Sequence, residues 1–271
     1  MRGLLLVYLV ARVASAEPAP PPHLAAYKAD AKAEAIARAL WDDYGDVATV
    51  GAEEDMDGGY RGTIHLVPEL PINKYRTQLE WVAAAMKDID AFFSAFDTKP
   101  SYRWKQLTFQ FVRSVKKRTP SAYATGWAIT HNVAGSLLTS ARGVRETYFH
   151  ELFHLNDFDH NDWSQKTLGK DYAAIVKKCG IKVKCLDPYA PNTTKVRATG
   201  TYYAFQPNNG NGVHEYAAEL AVRYFKEQTE MQTNRRLGQK AFKCGPPENA
   251  RAWQALVDEF FAGRDLVPPC S

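Results

Sequence analysis

The spacing of apolar residues divides this chain into helices and strands. Between residues 74 and 97, Tyr75, Leu79, Val82, Met86, Ile89, Phe93 and Phe96 recur at intervals of three and four. That is the period of an amphipathic helix with one face in a core. Residues 27–44 carry the same pattern through Tyr27, Ala31, Ile36, Leu40, Trp41 and Tyr44. The period changes at residues 106–113, where Leu107, Phe109 and Phe111 alternate with polar neighbours and predict a half-buried strand. Further strands are expected at residues 60–67, 126–131 and 135–138.

Helical spacing returns after a Thr139 or Ser140 N-cap, through Val144, Phe149, Leu152, Phe153 and Leu155, and fades near Asn156-Asp157. A short helix at 171–178, closed by Gly180, precedes a loop-rich stretch to about residue 212. Two helices finish the chain, at 213–230 (Tyr216, Ala217, Leu220, Tyr224, Phe225) and at 248–262 (Trp253, Leu256, Val257, Phe260). The order predicts an α+β fold. An N-terminal lobe of about 27–157 carries a small mixed sheet, and a mainly helical C-terminal lobe of about 158–271 faces it across a cleft.

The first sixteen residues read as a signal peptide: Arg2, an apolar run from Gly3 to Val10 too short to span a bilayer, and the small-x-small site Ala14-Ser15-Ala16. A proline-rich leader, residues 17–26, follows. The expected location is outside the cytoplasm, secreted or periplasmic, and no later stretch is apolar enough to cross a membrane. Losing Arg2 and Arg12, with no acids, lowers the net charge from +4 to +2. So small a charge gives no support to a nucleic-acid or anionic-membrane partner. The Arg113–Arg118 cluster is expected to be a solvated hairpin tip. Four cysteines remain, and an even number in an exported chain points to two disulfides. Cys179 with Cys185 and Cys244 with Cys270 is the preferred pairing.

Candidate chemistry sits on the central helix, where His150-Glu151-Leu152-Phe153-His154 reads H-E-x-x-H. Residues four apart stack on one helical face, so both imidazoles can reach one metal ion and Glu151 can reach a water bound to it. The plainer explanation is two half-buried histidines on a core helix. A catalytic zinc site needs a third protein ligand, and there are two candidates. His160 has the spacing of H-E-x-x-H-x-x-G-x-x-H, with Asp157 in place of the glycine and no Met-turn downstream. Glu215 lies with Glu219 one turn apart on an otherwise apolar helix, where unpaired acids are costly. One of that pair can bind metal while the other accepts a hydrogen bond from an imidazole's second nitrogen.

His150-Glu-Leu-Phe-His154-Leu-Asn-Asp157 followed by Glu215-Tyr-Ala-Ala-Glu219 resembles the gluzincin peptidases of the anthrax lethal factor type, with H-E-x-x-H-x-x-D and a later E-x-x-A-E helix. The resemblance covers about 80 residues. It implies a zincin-like, two-lobed fold with His150, His154 and Glu215 as zinc ligands, Glu151 as general base and Glu219 behind the ligands. It also implies a tyrosine upstream of the ligand glutamate that stabilises the oxyanion. Tyr202 and Tyr203 are the candidates, and Tyr203 is the choice.

The function expected is a secreted zinc metalloendopeptidase acting on peptides or proteins, with one catalytic Zn2+. The strand at 126–131 is expected to receive substrate backbone as an added strand. The alternatives are a metzincin-like peptidase using His160 and a non-catalytic secreted zinc-binding protein. Glu151 speaks against the latter, because a structural metal has no use for a carboxylate beside an open position.

Overall fold

A computed structural model describes residues 21–58, 61–102, 106–196, 199–207 and 210–270. The expected signal peptide lies outside the described residues. Among the described residues the architecture is α+β, with six short strands in one sheet and seven α-helices.

The first described element is a 3-10 turn, Pro22–Tyr27, that buries Leu24 and Tyr27. Helix α1 (Ala31–Tyr44) starts later than its apolar pattern, because the Asp30 carboxylate accepts from Ala33 N and caps the first turn. It ends at Gly45, whose φ of 73° suits glycine. Strands β1 (Val47–Val50), β2 (Glu54–Asp57) and β3 (Thr63–Pro68) lead to α2 (Arg76–Ser94), and β4 (Thr108–Ser114), β5 (Ala122–Thr125) and β6 (Ala128–Asn132) follow. Their order is β2-β3-β4-β6-β5. β1 lies parallel to the first part of β4, which is also parallel to β6, while β3 is antiparallel to the end of β4.

Two strand expectations fail. Residues 135–138 form a turn, with Gly135 N donating to Asn132 O and Leu138 N to Gly135 O. A Cβ on Gly135 would come within 2.9 Å of the Ser121 backbone, so the glycine serves a close approach. Nor is the Arg113–Arg118 stretch a hairpin tip, since β5 pairs with β6 rather than with β4. Its cations anchor neighbouring chain instead. Arg113 pairs with Glu69 at 2.8 Å, and Lys117 Nζ donates to the carbonyls of Arg61 and Thr63.

The helices α3 (Ala141–Asp159), α4 (Trp163–Cys179), α5 (Val183–Leu186), α6 (Gly212–Asn234) and α7 (Pro247–Phe260) complete the chain. α4 is twice the expected length because the polar residues and Gly169 between Trp163 and Asp171 hide a face that buries Trp163, Leu168 and Ile175. The main hydrophobic core runs from Leu24 to Val267, and Ile64, Leu66 and Val112 form a small second cluster. At its centre Phe149 of α3 stacks on Phe225 of α6, with ring centroids 4.5 Å apart, and Phe92 of α2 meets Phe225 edge-on at 4.9 Å. These contacts fix α3 and α6 side by side, which is what brings the candidate ligands together.

Disulfides join Cys179 to Cys185 and Cys244 to Cys270, the expected pairing. Among the described residues no helix is long and apolar enough to cross a membrane.

Candidate metal centre

The centre is built on two helix starts. Ser140 Oγ accepts from Gly143 N and begins α3. The helix then presents Phe149 and Phe153 to the aromatic core and turns His150 and His154 to the other side. Asn211 Oδ1 accepts from Val213 N and begins α6, with Glu215 in its first turn, where the helix dipole favours an acid.

His150 Nε2 lies 3.0 Å from His154 Nε2 and 3.1 Å from Glu215 Oε2. The third side of this triangle, His154 Nε2 to Glu215 Oε2, is 3.7 Å. Ligands about 2.0–2.1 Å from a tetrahedral zinc stand about 3.3 Å from one another, and the three separations straddle that value. Among the described residues this is the one group of three His, Cys, Asp or Glu whose donor atoms converge as a metal site requires.

The surroundings favour a cation. Glu151 and Glu219 are 7 % and 8 % exposed. Glu219 Oε1 is 3.6 Å from His150 Nδ1, and its Oε2 has no hydrogen-bond partner. With neutral imidazoles the cluster holds three carboxylates, a charge of about −3 that a divalent ion reduces to −1. Without metal, burial is the largest influence on His150 and opposes its charge. The carboxylates of Glu215, Glu151 and Glu219 together outweigh it and raise its pKa to about 9. Glu215 is likewise resisted by burial but held far below the usual carboxylate range by the two imidazoles. Glu151 is pushed up by burial, partly offset by His150 and His154. A dication takes over the role these protons play.

His160 stands apart from the triad. It caps the end of α3, its Nδ1 meets Glu259 Oε1 at 2.7 Å, and its ring packs on Phe260. The two tyrosines also part company. Tyr202 is 2 % exposed with its hydroxyl bonded to Asp187, whereas the Tyr203 ring sits 6.0 Å from the His150 ring. Asp157, the residue where the alternative motif has glycine, binds Ser164 through both carboxylate oxygens and ties α3 to α4.

No protein-family model, curated protein or solved structure matches the chain.

The geometry alone therefore says what the site can do, and it adds residues that the sequence reading missed. A groove of about 480 Å³ opens beside His154. One wall is the β5–β6 hairpin, whose two turn residues Gly126 and Trp127 both have positive φ, 56° and 60°. His214, next to Glu215, lines it too. A Gly-Trp pair is an unusual hairpin turn, since asparagine or glycine normally fills the second position, and so the signal was weak. The expected substrate strand is corrected as well. Both sides of β6 are occupied, by β4 and β5, and among the described residues the edge strand beside the groove is β5.

Proposed function

We propose that this protein is an exported, zinc-dependent metalloendopeptidase of gluzincin type, with a zincin-like two-lobed fold. The observation that carries the reading is the convergence of His150 Nε2, His154 Nε2 and Glu215 Oε2 on one point. His150, His154 and Glu215 would hold zinc, which would supply Lewis acidity and acidify water near neutral pH. Glu151, one position on from the first ligand, takes the proton from the attacking water and returns it to the leaving amine. Glu219 holds the His150 ring through Nδ1, and the Tyr203 hydroxyl donates to the oxygen on which charge develops. The peptide lies along the edge of β5 and is cut where it passes the triad. Two disulfides support export.

The competing roles have less support. His160 is engaged by Glu259, and a structural metal does not account for a buried Glu151. The test is zinc content together with cleavage of a mixed peptide library, comparing wild type with Glu151→Ala. Both proteins should carry one zinc per chain, and cleavage should fall by ~10²–10⁴ in the variant. Equal cleavage by the two proteins contradicts the mechanism, and absence of zinc from both contradicts the site.

A further inference from the structure

Tyr203 sits in a three-residue 3-10 turn, Tyr203–Phe205, with its ring 6.0 Å from that of His150. The turn's own bonds, from Phe205 N to Tyr202 O and from Gln206 N to Tyr203 O, close it without tying it to α3 or α6. Side chains supply the ties. Tyr203 is half-buried, whereas its neighbours Tyr202, Ala204 and Phe205 are buried and anchor the turn. Tyr202 reaches back to Asp187 in the same loop-rich stretch. Ala204 and Phe205 both meet Tyr172 of α4.

Tyr172 joins that turn to the ligand helix. Its hydroxyl donates to Ala204 O at 2.9 Å, and its ring lies parallel to the Phe205 ring, with centroids 5.6 Å apart and planes inclined by 3°. Tyr216 of α6 completes the cluster, 5.7 Å from the Tyr172 ring and 5.8 Å from the Phe205 ring. The same hydroxyl stands against the start of α6, where a Cβ on Gly212 would collide with it. Glycine opens this helix because a side chain passes close by, not for its helix propensity. Glu215 follows three residues later. One side chain therefore spaces the Tyr203 turn from the helix that carries the third candidate ligand.

We propose that Tyr172 is a positioning residue of the metal centre, holding the Tyr203 turn against the start of α6 so that the Tyr203 ring stays beside His150. Its consequence for catalysis rests on the metallopeptidase reading, in which the Tyr203 hydroxyl meets the developing oxyanion. Ala204 is 2 % exposed, so removing the Tyr172 hydroxyl takes a partner from a carbonyl that water reaches poorly. The turn then gains by moving toward solvent, and a donor displaced by ~1 Å stabilises an oxyanion much less well.

The experiment has one readout without metal or substrate and one with both. For the first, 3-fluorotyrosine is placed at position 203 and its fluorine resonance is recorded in the zinc-free protein. One line is expected, and Tyr172→Phe, which keeps the stacked ring and removes the hydroxyl, should shift or split it. For the second, peptide cleavage is followed in a double-mutant cycle. Tyr172→Phe should lower kcat about fivefold with KM within about twofold, and Tyr203→Phe should lower kcat about a hundredfold. Adding Tyr172→Phe to Tyr203→Phe should cost less than about twofold more, because a residue that acts through Tyr203 has nothing left to position. Zinc affinity of Tyr172→Phe should stay within about twofold, since no ligand or its partner is touched. The proposal is overturned by an unmoved fluorine line, or by a rate loss that persists undiminished in the Tyr203→Phe background. It is overturned equally by a zinc affinity that falls as far as the rate, which would mean that Tyr172 acts through α6 and Glu215. A moved line in a protein that cleaves nothing would keep the positioning and reject the peptidase. A moved line with Tyr203→Phe as active as wild type would keep it and reject Tyr203 as the oxyanion donor.

Discussion

His131 and His150 are both buried, on neighbouring elements, and the chain holds them in opposite ways. His131 lies at the end of β6. Its Nδ1 meets the Tyr148 hydroxyl and its Nε2 meets Gln78 Oε1, both at 3.0 Å. Both ring nitrogens are satisfied, no carboxylate among the described residues touches the ring, and burial drives its pKa down to about 3. This is a closed network that locks β6, α2 and α3 together. His150, two positions after Tyr148 and on another face of α3, has carboxylates on both nitrogens and a second imidazole at 3.0 Å. Acceptors outnumber donors there, one Glu219 oxygen is unpartnered, and the pKa moves up rather than down. Satisfied polar groups in a core make a scaffold, whereas a surplus of acceptors aimed at one point calls for a cation.

Five substitutions sharpen or break that contrast, from the largest effect to the smallest. Glu215→Ala should weaken zinc binding by more than about a hundredfold in competition with a chelator, beyond the range typical of supporting residues. His160→Ala should leave it within a few-fold, and the reverse pattern would move the third ligand to His160.

On the scaffold side, His131→Ala removes a buried ring and strands Tyr148 and Gln78. It should cost about 3 kcal/mol in urea denaturation. Zinc affinity of the folded protein should barely change, and a loss as deep as that of Glu215→Ala would erase the distinction between the two histidines.

Glu219→Ala should fall between ligand and bystander, weakening zinc binding or activity by ~10–100-fold. An unchanged zinc affinity and rate would mean that Glu219 does not orient His150.

The smallest effect concerns Asp46, fully buried, with Oδ1 accepting from Leu107 N and Oδ2 unpartnered. Burial raises its pKa to about 7, partly offset by that hydrogen bond. A carboxyl raised in the fold contributes its stability fully below the unfolded value near 3.9, and loses it as pH rises through 7. Asp46→Asn keeps the acceptor and should shrink the stability difference between pH 5 and pH 8 by about 1–2 kcal/mol. A pH profile identical to wild type would show that Asp46 is not the group responsible.

Where one periodicity dominated, sequence reasoning located the elements. The run from Leu79 to Ile89 became α2, and Phe109 and Phe111 became the buried face of β4. It failed where local composition opposed the tertiary role. β2 is Glu-Asp-Met-Asp, a strand by virtue of its pairing with β3 and too acidic to resemble one. The triad was legible because helical spacing converts directly into distance for His150 and His154, and because two acids on the apolar face of α6 demanded an explanation. The groove was not legible. Trp127, Phe158, Asp162 and His214 come from three separate segments, and only the packing of the β5–β6 hairpin against α3 and α6 makes them neighbours.

The most direct measurement is an anomalous difference map, recorded at the zinc edge from crystals grown with zinc. One peak should appear with His150 Nε2, His154 Nε2 and a Glu215 carboxylate oxygen about 2.0–2.2 Å away, and with His160 still bound to Glu259. No peak at the triad, or a peak liganded by His160 in place of Glu215, would contradict the account.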